Sequence, residues 1–566
     1  MLSDLQACKN SYDLGALLDI QPKHLTYLLF ILSEEHRYTE VCLSKKNGGT
    51  RLISVPNESL KSLQKRLSKV LYECQYEIDQ NHRPRRSYGF EKKRTIYDNA
   101  HEHIGKRWVF NIDLQDFFPT INFGRVRGFF ISNRSFALDP KVATLVAQIC
   151  CYKNQLPQGA ATSPVVSNLI CGSLDFRLAR LARRARCTYS RYADDITFST
   201  NQKTFPSLIA KASSSDQGWE PSDELDARVK SAGFVINPTK TRLSSHDSRQ
   251  LVTGLVVNKK VAIPRETYKA SRAAVHAMLR NKDWFLPRFT DSYRWNCTDE
   301  SPTTDQLAAL EGRLSYLFQI SDRSDDREVN PKFYNPSAIA RTYSDFLYFK
   351  YLVKPSRPLI ITEGISDIFY IKAALLSADK SLNLLVDHKA AADNEILIDF
   401  FNFPKTASRV MGIPGGSSNF SVFLERHRNF VRRLSTNYNR RPVLIVLDND
   451  SGIGSAQKVI KDVYKIDIST KIESNFFKLE KSLYVVKTPQ APPKIETSIE
   501  DFLDPVALNV NLGGKTFSSQ KDYDTSAHFG KFILGSHILK NFEKYSFSSF
   551  DPILDRIRAA LDDAIA

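Results

Sequence analysis

The chain has 566 residues, more than one hydrophobic core usually supports, so we expect two or three domains. Its net charge of +17 is uneven: the first 300 residues carry 45 Lys and Arg against 30 Asp and Glu, the remainder 34 against 32, which predicts a nucleic-acid-binding N-terminal half. With no secretory signal, no early apolar run long enough to span a membrane and eight cysteines lacking zinc-site spacing, we expect a soluble cytoplasmic protein with free thiols.

The first predicted elements are a basic β-hairpin and a helix. Residues Arg51 to Val55 follow a turn rich in Lys and Gly, and apolar residues then recur at helical spacing from Leu60 to Leu71. From Trp108 to about Val257, short β-rich runs alternate with helical ones. This alternation predicts an α+β domain.

Three aspartates within this domain are candidate metal ligands. Asp113 ends a predicted strand, and Asp194 and Asp195 lie at a predicted hairpin tip. Three carboxylates can hold the two magnesium ions that nucleotidyl transfer uses, although a lone Asp pair is more often a solvated turn. Between them, residues 155–164 form a small, flexible segment in which Gln158 could hydrogen-bond a base pair.

In their order, these segments resemble the motifs of a reverse transcriptase. Asp113 matches motif A, residues 155–164 match motif B, and the sequence Tyr-Ala-Asp-Asp at 192–195 matches motif C. The resemblance implies a right-hand polymerase with fingers, palm and helical thumb, and a two-magnesium site held by the three aspartates. It also implies nucleotide contacts: Arg51 to the triphosphate, Phe118 against the ribose 2′-OH, Gln158 to the base pair and Lys240 near the incoming nucleotide.

Two further runs narrow the resemblance to retron reverse transcriptases. Asn99 and His103 fit an NAxxH pattern, and Val252, Thr253 and Gly254 fit a VTG pattern; we expect all five to take part in substrate binding. The resemblance implies a structured non-coding RNA partner, dNTP substrates and a branched RNA–DNA product. Since no RNase H signature is apparent, template removal would need host RNase H. An intron maturase or a diversity-generating enzyme is the alternative class.

Residues from Pro264 to about Phe349 carry cations at helical spacing, which predicts a thumb that grips the duplex through its phosphates. A solvated helix face is the alternative interpretation. The cations are Arg265, Lys269, Arg272, Arg280 and Arg313.

A second set of acids follows two fully apolar runs, which are typical of buried parallel strands. Glu363 follows the run 359–362, and Asp448 and Asp450 follow the run 443–447. Ligands bind at the carboxyl ends of such strands, so these acids could share a magnesium ion. The pattern resembles a Toprim domain, which implies Glu363 as a metal ligand or general acid/base and the two aspartates as metal ligands.

Downstream, Glu500 and Lys531 are similar to an extra acid and a lysine of OLD-type nucleases, but they could equally be a helix-capping acid and a surface lysine. No tyrosine stands out as a topoisomerase nucleophile. We therefore expect a magnesium-dependent nuclease, with a domain that only binds nucleic acid as the alternative.

The predicted organisation has three parts: fingers and palm at 1–260, thumb and connector at 261–350, and an α/β Toprim effector with a parallel sheet at 351–566. The expected function is a retron reverse transcriptase fused to an effector nuclease that acts in anti-phage defence by abortive infection. The sequence leaves the partner RNA, the nuclease substrate and oligomerisation open.

Overall fold

The structure is a computed structural model, and it describes the chain apart from residues 45–49, 81–86, 214–217, 283–303, 379–384, 388–394, 414–419, 436–437, 439–440, 521 and 566. The described residues form two compact units, the first ending at Arg265 and the second beginning at Glu266. In the described part of the chain, no helix has both the length and the apolar character needed to cross a membrane. The seven cysteines within it are free thiols, while Cys297 lies outside it.

The first unit contains ten α-helices and ten strands among its described residues. The helices are α1 Leu2–Ala7, α2 Ser11–Leu17, α3 Pro22–Thr26, α4 Glu34–Arg37, α5 Glu58–Gln80, α6 Ile96–His101, α7 Phe123–Ser132, α8 Pro140–Cys150, α9 Ser163–Arg184 and α10 Asp223–Ser231. The strands are β1 Tyr38–Ser44, β2 Thr50–Pro56, β3 Trp108–Asp113, β4 Thr188–Tyr192, β5 Asp195–Thr200, β6 Ala210–Ala212, β7 Trp219–Pro221, β8 Arg242–Ser245, β9 Leu251–Val252 and β10 Leu255–Val256.

An antiparallel sheet with the strand order β4-β5-β3-β8 is the centre of this unit. Apolar side chains of the sheet, such as Phe110, Ile196 and Phe198, are buried in one core together with residues of α5, α8 and α9. Central strand β3 pairs with β5 in a register that places Asp113 opposite Asp195. The sheet therefore brings together two acids that are far apart in sequence.

The hairpin of β1 and β2 lies beside this sheet and is anchored to the segment that precedes α9. The backbone N–H of Ser54 donates to the carbonyl of Gln158 at 2.8 Å. Gly159 has a φ of +127°, and a Cβ there would lie 2.7 Å from the Ser54 carbonyl oxygen. Only glycine suits this contact, because a side chain would meet both backbone strain and a clash.

The second unit contains eleven α-helices and nine strands among its described residues. The helices are α11 Arg265–Leu279, α12 Thr304–Arg323, α13 Val329–Tyr334, α14 Ala338–Tyr348, α15 Ile365–Ser377, α16 Lys405–Met411, α17 Phe420–Val431, α18 Gly454–Tyr464, α19 Pro505–Leu508, α20 Lys531–Lys540 and α21 Asp551–Ile565. The strands are β11 Leu359–Ile361, β12 Val386–Asp387, β13 Glu395–Ile396, β14 Asp399–Phe400, β15 Val443–Leu447, β16 Phe477–Glu480, β17 Leu483–Lys487, β18 Thr516–Phe517 and β19 His528–Phe529.

A five-stranded sheet with the order β14-β11-β15-β17-β16 lies at the centre of the second unit. Strands β14, β11, β15 and β17 pair in parallel, and β16 adds an antiparallel edge. Alternate residues of β15 enter different cores: Val443 and Ile445 pack into one, Leu444 and Val446 into the other. Because the sheet is covered on both faces, its inner strands β11 and β15 are apolar throughout.

The helical segment predicted as a thumb shares a core with this sheet. Val275 of α11, Leu314 of α12 and Phe346 of α14 are buried with Leu359 and Val443. Of the five cations predicted to grip a duplex, Arg265, Lys269, Arg272 and Arg280 are exposed. Arg313 is only 8% exposed, and burial lowers its pKa. The helix turns Arg313 toward the protein, so the predicted phosphate contact is wrong for this residue.

Candidate active sites

Three acids of the first unit meet at the end of its central sheet. Tyr192 and Asp195 pair across a tight hairpin, so Ala193 and Asp194 form the turn between β4 and β5. Ala193 adopts a φ of +56°, and the N–H of Leu114 donates to the Asp194 carbonyl at 3.1 Å. The hairpin tip is thereby fixed beside the end of β3, where Asp113 lies.

A cleft of about 900 Å³ opens in front of these acids. Residues predicted from widely separated motifs line it together: Arg51, Asp113, Phe118, Gln158, Asp194 and Lys240. Phe90 lies there too and has its ring 6.0 Å from that of Phe118. Sequence analysis did not select Phe90, because this contact depends on the tertiary fold. A smaller cavity of about 320 Å³ next to Asp113 is lined by Asp195, Thr253 and Gly254.

The electrostatics of the cleft are those of crowded acids with one close cation. Burial and the neighbouring charge of Asp113 raise the pKa of Asp194. Burial and the charges of Asp194 and Asp113 raise the pKa of Asp195 to about 7, although part of this side chain remains open to solvent. The Lys240 ammonium lies 2.8 Å from Asp113 Oδ2; burial lowers the pKa of Lys240, but Asp113 outweighs it and the pKa is raised.

This donor set fits Mg²⁺, which prefers carboxylate oxygens. The charge of Asp113 raises the pKa of Asp194, and the charges of both raise that of Asp195, so a bound cation would relieve this repulsion; Lys240 already supplies one positive charge to Asp113. Within the described ranges, no three His, Cys, Asp or Glu side chains lie close enough together to form a ready-made metal site. Asp113, Asp194 and Asp195 are the residues that would hold the metal in this unit.

The NAxxH residues lie inside the protein, not in the cleft. His103 is fully buried, with Nδ1 2.7 Å from the Ser199 hydroxyl and Nε2 2.7 Å from the Ser190 hydroxyl, and burial lowers its pKa to about 3. Asn99 is 1% exposed. The predicted substrate contact is therefore replaced by a structural one, in which His103 joins β4 to β5.

The VTG residues form a tight turn between β9 and β10. Thr253 and Gly254 have φ values of +46° and +81°, which suits a two-residue hairpin. The Thr253 hydroxyl donates to the Ile96 carbonyl at 3.3 Å, so the turn is attached to α6, the helix that carries Asn99. Val252 is buried, whereas Thr253 and Gly254 line the smaller cavity beside Asp195.

The acids of the second unit gather at the carboxyl ends of β11 and β15, which are adjacent parallel strands. Glu363 Oε1 accepts a hydrogen bond of 3.0 Å from the backbone N–H of Asp448. Asp448 Oδ1 accepts one of 2.8 Å from the N–H of Ile499, which brings the segment carrying Glu500 to the same place. Asp450 caps the turn that follows by accepting from the N–H of Gly452.

Glu500 and Lys531 belong to this cluster, since the Lys531 ammonium lies 2.8 Å from Glu500 Oε1. Asp367 belongs to it as well; it accepts a hydrogen bond from the N–H of Gly364 at the start of α15. Sequence analysis did not select Asp367 as a site residue. Its charge reaches both Glu363 and Asp448.

Burial and the charges of neighbouring acids raise the pKa of three carboxyl groups in this second cluster. Burial, then the charges of Glu363 and Asp367, raises the pKa of Asp448 to about 8. Burial, then the charges of Asp367 and Asp450, raises the pKa of Glu363 to about 7. Burial and the charge of Glu500 raise the pKa of Asp367 to about 6. Acids in this arrangement fit a divalent cation, and Glu363, Asp448 and Asp450 are the residues that would hold it.

A buried lysine supports the turn between Asp448 and Asp450. Lys487 is 1% exposed and ends β17, the strand next to β15. Its ammonium donates to Asn449 Oδ1 at 2.9 Å and to the carbonyls of Ser469 and Ile472 at 2.7 and 3.0 Å. Sequence analysis did not select Lys487, because its partners lie on two other segments, at Asn449 and at residues 469–472.

Comparison with known proteins gives a consistent picture for the first part of the chain. The family described as "Reverse transcriptase (RNA-dependent DNA polymerase)" matches residues 43–271. The chain is 35% identical over 328 residues to the retron Ec86 reverse transcriptase of Escherichia coli, which covers 57% of this chain and 89% of that protein. It is 34% identical over 309 residues to the retron Mx65 reverse transcriptase of Myxococcus xanthus, covering 51% of this chain and 63% of that relative.

Solved structures give a weaker likeness. The apo telomerase of Candida tropicalis, truncated from its C-terminal domain, matches with a TM-score of 0.28 and 13% identity over 42% of this chain and 56% of that one. The telomerase of Candida albicans with a fragment of telomeric RNA matches with a TM-score of 0.30 and 10% identity, over 61% of this chain and 64% of that one.

Proposed function

The chain belongs to the retron reverse transcriptases, and we propose that it copies a structured non-coding RNA into branched, multicopy single-stranded DNA. It is an RNA-directed DNA polymerase. The observation that carries the proposal is the convergence of Arg51, Asp113, Gln158, Asp194 and Lys240 on one cleft. The intron-maturase and diversity-generating alternatives are not retained, because the relatives are retron enzymes.

In the proposed reaction each cleft residue has a defined task. Magnesium, when bound by the three aspartates, lowers the pKa of the attacking 3′-hydroxyl and neutralises the leaving pyrophosphate. Arg51 binds the triphosphate, and Lys240 places positive charge beside Asp113 at the incoming nucleotide. Phe118, packed between Phe117 and Phe90, fills the space that a ribose 2′-OH would need. Gln158 faces the nascent base pair from a loop held against β2.

The polymerase proposal is tested by expressing the chain with its partner RNA and isolating labelled single-stranded DNA. The matched variant is Asp194→Asn with Asp195→Asn, which removes two carboxylates while keeping similar side-chain volumes. We expect no DNA product from the double variant. A product of unchanged length and yield would contradict the assignment of these residues.

We further propose that the second unit is a Toprim nuclease and the effector of an anti-phage defence that acts by abortive infection. Support comes from the acid cluster at the ends of β11 and β15, in which burial and the charges of Glu363 and Asp367 raise the pKa of Asp448, and burial and the charge of Asp367 raise that of Glu363. The pairing of Lys531 with Glu500 adds a cation at the position where a cleaved phosphate would develop negative charge. The DNA product made by the first unit would hold the effector in check until infection alters it.

Nucleic-acid cleavage in the presence of Mg²⁺ tests this second proposal, with single-stranded and duplex RNA and DNA offered separately. We expect Glu363→Gln and Asp448→Asn to abolish cleavage and host toxicity. Asp555→Asn is the control, because this exposed acid of α21 pairs with Arg558 and is not one of the clustered acids. Equal cleavage by all three variants would exclude Glu363 and Asp448 from the mechanism.

A domain that only binds nucleic acid is the second candidate for this unit. It predicts that wild-type protein retains its RNA–DNA product but yields no magnesium-dependent fragments. The same assay distinguishes the two candidate functions when both bound and cleaved nucleic acid are measured. Binding without cleavage favours the binding domain, and magnesium-dependent cleavage favours the nuclease.

A further inference from the structure

A buried ion pair lies directly behind the hairpin turn that carries Asp194. Arg191 is fully buried, and its guanidinium grips Asp175 of α9 with two bonds, Nε to Oδ1 at 2.7 Å and Nη2 to Oδ2 at 2.8 Å. The Tyr189 hydroxyl also donates to Asp175 Oδ1, at 2.7 Å. Burial opposes the charge of Arg191, but Asp175 outweighs it and raises the arginine pKa, so the guanidinium stays charged.

The same guanidinium reaches the turn itself. Arg191 Nη1 donates to the carbonyl of Ala193 at 3.0 Å. Ala193 holds a positive φ of +56°, a conformation that a non-glycine residue adopts only when its surroundings fix it. The Ala193 carbonyl belongs to the peptide bond between Ala193 and Asp194. The hydrogen bond from Arg191 therefore holds the peptide directly before a catalytic carboxylate.

A second layer of contacts prevents the turn from moving toward the protein interior. Arg191 Nη2 donates to Asn168 Oδ1 at 3.3 Å, and Asn168 Nδ2 donates to the carbonyl of Gly89 at 2.8 Å. A Cβ on Gly89 would lie only 2.5 Å from the backbone nitrogen of Ala193, so the Gly89 backbone packs directly on the turn. The N–H of Tyr88 donates to the Arg191 carbonyl at 2.8 Å.

We propose that Arg191 is a positioning residue of the polymerase: its guanidinium, fixed by Asp175, holds the Ala193 carbonyl and thereby sets the position of the Asp194 carboxylate. Arg191 does not line the cleft and touches no substrate. It acts on catalysis through the shape of the turn. A purely structural ion pair would stabilise α9 against β4 without affecting how the acids bind a metal.

The test replaces Arg191 by Lys, which keeps the charge but cannot grip Asp175 with two nitrogens and reach Ala193 as well. Tyr189→Phe is the matched control, because it removes a bond to the same Asp175 carboxylate and leaves the turn contact intact. Both variants are measured as full-length chain. Steady-state kinetics on a poly(rA) template with an oligo(dT) primer give kcat and the KM for dTTP.

A readout independent of activity comes from Fe²⁺, which substitutes for Mg²⁺ and, with ascorbate, cleaves the polypeptide near its binding site. Fragments ending near Asp113 and Asp194 report on the first unit alone. For Arg191→Lys we expect the Fe²⁺ concentration for half-maximal cleavage to rise about fivefold or more and kcat to fall about tenfold, with KM within about twofold. Tyr189→Phe should match wild type in all three quantities.

The proposal is overturned if Arg191→Lys shows the wild-type Fe²⁺ dependence and the same kcat as Tyr189→Phe. Should Arg191→Lys lack a cooperative unfolding transition, Asp175→Asn takes its place, since it loosens the guanidinium without removing it. A wild-type Fe²⁺ dependence and kcat in Asp175→Asn would then overturn the proposal equally.

Discussion

The two acidic sites present their carboxylates in different ways. In the first unit the acids lie on antiparallel strands, with Asp113 and Asp195 paired across the sheet, and Lys240 contacts Asp113 directly. In the second unit they follow the ends of parallel strands, and Lys531 contacts Glu500. Among the residues that the structure describes, no Lys or Arg forms an ion pair with Glu363 or Asp448. The pKa of Asp448 rises further than that of Asp195, to about 8 against about 7.

The two sites thus differ in which carboxylate their nearest lysine contacts. Lys240 shares a carboxylate with the proposed metal site of the polymerase, so it can neutralise the acids before a metal arrives. Lys531 is paired with Glu500, and in the proposed cleavage reaction it supplies positive charge to the substrate phosphate. Substitution of one side chain at a time in each site tests whether the two sites act independently.

The largest effect is expected from the two lysines. Lys240→Met should reduce DNA synthesis about 10²-fold and leave nucleic-acid cleavage unchanged, and Lys531→Met should do the reverse, because each cation acts on charge within its own unit. Both activities are measured on each purified variant. Lys230→Met, a change in an exposed ion pair of α10, is the control for loss of a surface charge. Parallel loss of both activities in either variant would contradict independent sites.

Phe118→Ala tests whether the first site selects its nucleotide by shape. Removing the ring that contacts Phe117 and Phe90 opens space beside the sugar, so we expect discrimination against rTTP relative to dTTP to fall roughly 30-fold. The ratio of kcat/KM for the two nucleotides measures this. Phe129→Ala, which alters a packed ring that does not line the cleft, should leave the ratio unchanged.

Lys487→Met tests the support of the second site. The change removes the ammonium that donates to Asn449 Oδ1 and to the partly buried carbonyls of Ser469 and Ile472, and we expect cleavage to fall about tenfold while DNA synthesis persists. Lys461→Met, which breaks an exposed pair with Asp467, is the control. Unchanged cleavage in Lys487→Met would show that the turn between Asp448 and Asp450 holds its shape unaided.

Sequence predicted the acids and most of the cleft because these residues lie in short motifs whose order is itself informative. Asp113, Asp194, Gln158, Lys240 and Arg51 were all selected before the fold placed them together. The supporting groups were not, because Arg191, Asp175 and Lys487 gain their roles from partners on other elements. A buried arginine and a surface arginine look alike in sequence, as Arg313 also illustrates.

For the fold, too, the sequence predicted local elements better than their long-range packing. Apolar runs such as Val443–Leu447 indicated strands of a covered sheet, and the strand pairing follows that pattern. The boundary between the two units was harder to predict from the sequence. The helices of residues 261–350 are amphipathic, and such helices can cover any apolar surface. In the structure these helices share their core with the sheet of the second unit. Hydrophobic periodicity identifies the apolar face of a helix but does not show which distant element that face will contact.

The last prediction concerns protein stability and rests on His103, which joins β4 to β5. Folding lowers its pKa from 6.5 to about 3, so below pH 6.5 the unfolded state binds a proton that the folded state excludes. Stability of the β4–β5 hairpin should therefore decrease as pH falls below about 6.5, by about 1.4 kcal/mol per pH unit, and be fully present above it. Hydrogen exchange of residues 186–200, followed by mass spectrometry between pH 7.5 and 5, measures this slope. His103→Asn should flatten it, whereas His101→Asn, a change at an exposed histidine of α6, should retain it. An identical slope in His103→Asn would assign the acid sensitivity of the hairpin to another group.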